Sequence, residues 1–115
     1  HKITPGGGQY GRAFEHFVIL EVIRLNSYSK KDFKIFHYQT GAGGKIDLVL
    51  TCGREVIAVE IKSTRVVDSV EVGRLARVAK PLKPKKVYYV SQDPVASYIL
   101  GVHCVSWQSF FEKEF

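Results

Sequence analysis

The feature that most constrains this chain is a pair of adjacent strand-like segments, residues 45–52 and 55–62, separated only by Gly53-Arg54. A two-residue connection with glycine first suits a type II′ turn, whose twist matches that of paired strands. The two segments therefore form an antiparallel hairpin, and counting inward from Cys52 opposite Glu55 sets Asp47 opposite Glu60. The second segment, Val56-Ile57-Ala58-Val59-Glu60-Ile61, is apolar on both faces until Glu60. Such a strand belongs in the middle of a sheet covered on both sides. Helices must therefore lie above and below it.

The rest of the chain supplies them. Phe14, Val18, Val22 and Leu25 form a helical stripe within residues 9–26, widened by Phe17, Leu20 and Ile23, so this helix is expected to be largely buried. Polar residues 27–31 break it, and Phe33-Lys34-Ile35-Phe36-His37-Tyr38 reads as a strand. Gly41-Ala42-Gly43-Gly44 is a turn or a flexible loop. Asp68 and Glu71 have capping-box spacing and open a helix with apolar positions Val72, Leu75, Ala76 and Ala79, which Pro81 stops. A basic connector, 80–86, leads into the strand Val87-Tyr88-Tyr89-Val90. Residues 102–105 form a further short strand, and Ser106 caps a terminal helix through Phe115. The expected fold is α/β, an αβββαβ core with a mixed central sheet flanked by helices, followed by a small β-α appendage.

Composition sets the outer bounds. With 115 residues, 45% hydrophobic and 24% charged, the chain is one folded domain with a real core and not a disordered tail. It begins at His1 instead of Met, which implies a piece of a longer protein; residues 1–8 read as a linker, His1 being linker or tag, and 9–115 as the domain. No apolar run approaches a membrane span, and no signal-peptide pattern is present. Cys52 and Cys104 are too few for a disulfide framework and lack metal-ligand spacing, so both are expected to be reduced, in a cytoplasmic protein. The net charge of +6 suits a polyanionic partner, but it speaks to association and not to chemistry.

The chemistry rests on the hairpin. Glu60 and Lys62 lie two residues apart and share a face. Directly opposed residues have Cβ atoms roughly 4.5–5.5 Å apart, and like charges so placed repel, so Asp47 and Glu60 need a proton, an ion pair or a cation. A hard divalent cation, Mg²⁺ or Mn²⁺, suits oxygen ligands and leaves positions open for water and phosphate. Lys62 could orient water or stabilise charge growing on a phosphate. Glu15, at the edge of the first helix's apolar stripe with no Lys or Arg three or four residues on, also needs a partner, and this site could provide one.

These residues, in this order, resemble the PD-(D/E)XK nuclease superfamily. The likeness spans residues 11–91 and is closest to the nuclease-like domain at the C-terminus of many prokaryotic AAA-type ATPases. It is carried by Gly11-Arg12-Ala13-Phe14-Glu15, by Tyr38-Gln39-Thr40 with Gly44-Lys45-Ile46-Asp47, and by Val59-Glu60-Ile61-Lys62-Ser63. Lys45 departs from it, standing where that domain usually has an acid. The resemblance implies Mg²⁺- or Mn²⁺-dependent hydrolysis of DNA phosphodiesters, with Asp47, Glu60 and the Ile61 carbonyl as ligands. Lys62 would assist the water, and Glu15 would support the metal. It also implies an AAA-type ATPase domain preceding this one. The alternative is a non-catalytic nucleic-acid or partner-binding module regulating that ATPase.

Among the remaining basic residues, Arg65, Arg74 and Arg77 are the candidate nucleic-acid contacts, with Arg65, just past the motif strand, the best placed. His16 and His37 each stand alone in apolar segments and read as structural. Gln92, at the end of the fourth strand, is a weaker candidate for a substrate contact. Tyr88, Tyr89 and Trp107 read as core. The 41–44 glycines are not a phosphate loop, since no Gly-Lys-Ser/Thr follows into a helix, and the chain contains no Walker motif.

Overall fold

The computed structural model describes residues 8–115. The expected linker lies outside them apart from Gly8, which already opens the first helix. In chain order the elements are α1 (Gly8–Ser29), β1 (Lys34–Gln39), β2 (Lys45–Cys52), β3 (Glu55–Ile61), α2 (Ser69–Ala79), β4 (Lys86–Ser91), β5 (Ser97–Ile99), β6 (Val102–Ser106) and α3 (Trp107–Glu114), with a 3₁₀ turn, Lys80–Leu82, after α2. The strands form one sheet in the order β1-β2-β3-β4-β6-β5. Pairing is antiparallel from β1 to β3, parallel from β3 through β4 to β6, and antiparallel between β6 and β5. This is the mixed sheet and the αβββαβ core expected from the sequence, and β3 lies within it as its apolar character requires.

The sheet carries a core on each face. On one, Phe14, Val18 and Val22 of α1 and Phe110 of α3 pack on Leu48, Leu50, Val59 and Tyr88. On the other, Val72, Leu75 and Ala79 of α2 pack on Ile46, Val49, Ala58 and Tyr89. Asp68 caps α2, its carboxylate accepting from the N–H groups of Val70 and Glu71, and Ser106 caps α3 by accepting from Ser109 N–H. The β2–β3 turn matches its expected type, with Gly53 at φ +61° and Arg54 outside the positive-φ region.

Three local expectations need correction, while the 41–44 segment is the turn of its two expected forms. The polar 27–31 segment does not end α1 early; the helix runs to Ser29, and the chain then reverses through Lys30 and Asp32, both at positive φ. Asn26 holds that reversal, donating to Phe33 C=O and accepting from Phe33 N–H, each at 2.8 Å. Nor is α1 largely buried: Phe17, Leu20 and Ile23 are 42%, 50% and 48% exposed, because α1 meets the sheet on one side only. The turn at Thr40–Gly44 is tight, with Thr40 N–H donating to Gly44 C=O at 2.7 Å and Gly44 N–H donating to Thr40 Oγ1 at 2.9 Å.

The β-α appendage, finally, belongs to the sheet. β6 pairs in parallel with β4, Phe110 is fully buried, and β5, which sequence reasoning missed, forms the outer edge. A two-residue turn at Leu100-Gly101, both at positive φ, joins β5 to β6. Leucine is not a residue that advertises such a turn.

Candidate functional site

β2 and β3 pair in the register read from the turn, from Cys52↔Glu55 to Leu48↔Val59. At the next position the ladder changes character. On its other side, β2 pairs with β1 through Phe36↔Val49 and then Tyr38↔Ile46, so His37 alone faces both Asp47 and Leu48. This is a β-bulge, which bends a strand and re-aims a side chain. Alternation is reset there: Ile46 and Val49 both pack on the α2 face, while Leu48 packs on the α1 face. The expected facing pair Asp47–Glu60 is therefore not a ladder pair.

The two acids are brought together in another way. Asp47 N–H donates to Glu60 Oε1 at 3.2 Å, and Ile61 N–H donates to Asp47 Oδ2 at 2.8 Å. Carboxylate oxygens thus take main-chain donors where the hairpin ladder stops. Both acids are buried, Glu60 to 1% exposure. Glu15, half-buried on α1, interacts with Asp47 from the helix side. Three of the four motif residues from distant parts of the chain thus converge at one end of the hairpin.

Lys62 completes the cluster. Its Nζ lies 4.0 Å from Glu60 Oε2 and 3.8 Å from Glu71 Oε2. Lys45 Nζ lies 4.0 Å from Asp47 Oδ1. Burial, followed by the Asp47 carboxylate, pushes the Glu60 carboxyl up to about 7, against the pull of Arg74 and Lys62. Burial and the same neighbour raise Glu15 above the usual carboxylate range, opposed by Lys45 and Lys62.

Arg74 was expected to face nucleic acid, and its position gives it another role as well. Its Nη2 donates to Glu60 Oε2 and to Glu71 Oε2, both at 2.9 Å. The Glu71–Arg74 spacing of three residues on a helix is a legible pair, but its reach to Glu60 depends on α2 crossing β3. Glu71 consequently turns to the cluster instead of completing a capping box. Arg77, exposed one turn along α2, lines with Arg74 a cleft of 420 Å³ between α2 and the Thr40–Gly44 turn. Arg65 is exposed just beyond β3. Lys85 and Lys86 are engaged within the fold, with Glu55 at 2.7 Å and Glu114 at 3.1 Å.

Gln92 ties the surrounding elements together, its Nε2 donating to Tyr10 Oη at 2.8 Å and Ser63 C=O at 3.0 Å. Its side-chain amide thereby joins the first turn of α1 to the segment leaving β3. His16 and His37 are both exposed and form no part of the cluster, and Tyr88 and Tyr89 are buried core residues. Cys52 is exposed, Cys104 is buried, and both are free thiols. No helix among the described residues is long and apolar enough to cross a membrane.

The acidic side chains gathered here, Glu15, Asp47 and Glu60, offer hard oxygen donors only. That chemistry suits Mg²⁺ or Mn²⁺. The site already draws positive charge onto Glu60, in the form of the Arg74 guanidinium. Among the described residues, however, no three His, Cys, Asp or Glu side chains are grouped as a ready-made set of metal ligands. A cation would fit this chemistry only with Glu60 Oε2 released from the Arg74 guanidinium.

Fold and site together define a small α/β domain with a buried acidic cluster at the end of a central hairpin. Over residues 10–109 it matches the family described as a domain of unknown function, DUF4143, and the chain belongs to that family. No curated protein and no solved structure matches it.

Proposed function

We propose that this domain is a divalent-metal-dependent nuclease of the PD-(D/E)XK type, acting on DNA phosphodiesters, and that it forms the C-terminal part of a larger AAA-type ATPase. One observation carries the reading: Asp47 and Glu60, from two strands, are held together in a nearly dry site with Glu15 and Lys62 beside them. Burying acidic groups in mutual contact is costly unless something offsets their charge, and a stable fold has no need of such an arrangement.

In this reading Asp47, Glu60 and the Ile61 carbonyl hold the metal, with Glu15 supporting it. When bound, Mg²⁺ or Mn²⁺ supplies neutralisation of the phosphate and a more acidic water. Lys62, only partly exposed and leaning toward Glu60, orients the attacking water and steadies charge developing on the phosphate oxygens. Arg65 and Arg77, both exposed, contact flanking phosphates without reading sequence. Burial around Glu60 keeps bulk water from screening these charges.

Plasmid nicking in Mg²⁺ or Mn²⁺ tests the reading. Wild type should cut, while Asp47→Ala and Lys62→Ala should not; wild type that fails to cut, or cutting that survives both substitutions, counts against it.

A second reading has its own observation. The Arg74–Glu60–Glu71 network leaves Glu60 ion-paired without any metal. That suits a domain that keeps the nuclease fold as a scaffold for binding nucleic acid or a partner and regulates the attached ATPase. Metal-independent DNA binding without cleavage would favour it.

A further inference from the structure

Arg74 is the one cation in hydrogen-bonding contact with Glu60 among the interactions described, at 2.9 Å, whereas the Lys62 ammonium stands off at 4.0 Å. Its guanidinium is shared with Glu71, three residues earlier on α2, so a single Nη2 bridges a buried acid and a half-exposed one. Glu60 Oε1 meanwhile accepts from Asp47 N–H. Both oxygens of the central acid are therefore committed to other groups.

A divalent cation and Arg74 would compete for the same carboxylate. The guanidinium also has somewhere to go: the cleft between α2 and the Thr40–Gly44 turn, which Arg74 itself lines beside Arg77. Glu71 lies at the rim of the cluster and can hold the guanidinium as it leaves Glu60.

We infer that Arg74 is a positioning residue that serves as the resident counter-cation of Glu60, and that a divalent cation takes the site by displacing it toward the Arg77 cleft. This rests on the metal-site reading above and deepens it. Arg74 stabilises the metal-free fold and lowers the apparent metal affinity, since only molecules with Glu60 released can bind. An occupancy of Glu60 by Arg74 near nine-tenths corresponds to roughly tenfold weaker apparent binding.

Calorimetric titration with Mn²⁺, read without any nucleic acid, tests this on wild type, Arg74→Gln, Arg74→Lys and Asp47→Asn. Arg74→Gln should bind about tenfold more tightly than wild type, and Arg74→Lys should fall between them, because a strongly hydrated ammonium competes less well for a buried acid than the weakly hydrated guanidinium does. Without metal, Arg74→Gln should melt at a lower temperature than wild type. Because that variant could fold poorly, nitrogen resonances of the Arg74 guanidinium in wild type give a second measure, and adding Mg²⁺ should shift them. Equal Mn²⁺ affinity in wild type and Arg74→Gln, with binding lost in Asp47→Asn, would overturn the inference and leave the metal site standing. Absence of binding in all four would remove both. Binding by Arg74→Gln alone would be its strongest support.

Discussion

Asp47 and Glu60 are joined by a main-chain to side-chain hydrogen bond: Asp47 N–H donates to Glu60 Oε1, while Asp47 Oδ2 accepts from the Ile61 N–H next along β3. Each acid does structural work at the end of the hairpin ladder as well as carrying charge. The two effects oppose one another in stability and can be separated by substitution. Asparagine at 47 keeps an acceptor for Ile61 and removes the repulsion, whereas alanine leaves a buried N–H without a partner. Asp47→Ala should therefore be less stable than Asp47→Asn by about 1–3 kcal/mol. Urea denaturation of the two variants without metal checks it, and equal midpoints with equal slopes would refute it.

Stability should also depend on pH in a definite direction. Glu60 in the folded protein is raised from an ordinary 4.5 to about 7, and Glu15 is raised too. Between the unfolded and folded values the folded state holds more protons, so stability falls as pH rises. This contribution is fully present below about 4.5 and lost as pH passes through about 7. Metal-free protein should lose part of its thermal stability between pH 5 and pH 8, and Glu60→Gln should flatten that loss. A melting temperature that rises across this range in wild type, and no less in Glu60→Gln, would contradict the assignment.

Gly44 sets how closely the Thr40–Gly44 turn approaches α2. A Cβ there would meet Val78 Cγ2 and Thr40 Oγ1, each at 3.1 Å. Gly44→Ala should cost about 1–3 kcal/mol through overpacking. Adding Val78→Ala should recover part of it, so the double substitution should cost less than the sum of the two. Strict additivity would place the strain elsewhere.

Arg77 is exposed, and among the described residues no salt bridge engages it. If the cleft it lines with Arg74 carries a nucleic-acid backbone, Arg77→Gln should weaken DNA binding evenly across sequences and reduce the salt slope by about one. Fluorescence anisotropy with labelled duplexes over a range of salt concentrations measures it. An unchanged slope would take Arg77 out of the interface.

Much of the fold was legible because local signals agreed with one another. Gly53 set the hairpin register, the apolar run of β3 demanded cover on both faces, and Asp68 and Ser106 marked two helix starts. β5 was not legible, because three residues ending in a Leu-Gly turn give no periodicity to read. The exposure of Phe17, Leu20 and Ile23 was hidden for a different reason. A hydrophobic stripe tells what a helix can bury, but not how many neighbours it will meet.

The site shows the same division. The closeness of Asp47 and Glu60 could be read from strand register, but the bulge opposite His37 could not, since nothing local in Ile46-Asp47-Leu48 announces it. Arg74 was visible as a charge on a helix. Its contact with Glu60 depends on how α2 crosses the sheet, a tertiary fact that sequence spacing does not carry.

Anomalous diffraction from crystals grown with Mn²⁺ asks whether the proposed divalent cation sits in this acidic cluster. An anomalous peak between Asp47 and Glu60 is expected, with the Arg74 side chain turned away toward Arg77. Crystals that diffract well yet show no peak there, with Arg74 still paired to Glu60, would rule the cation out.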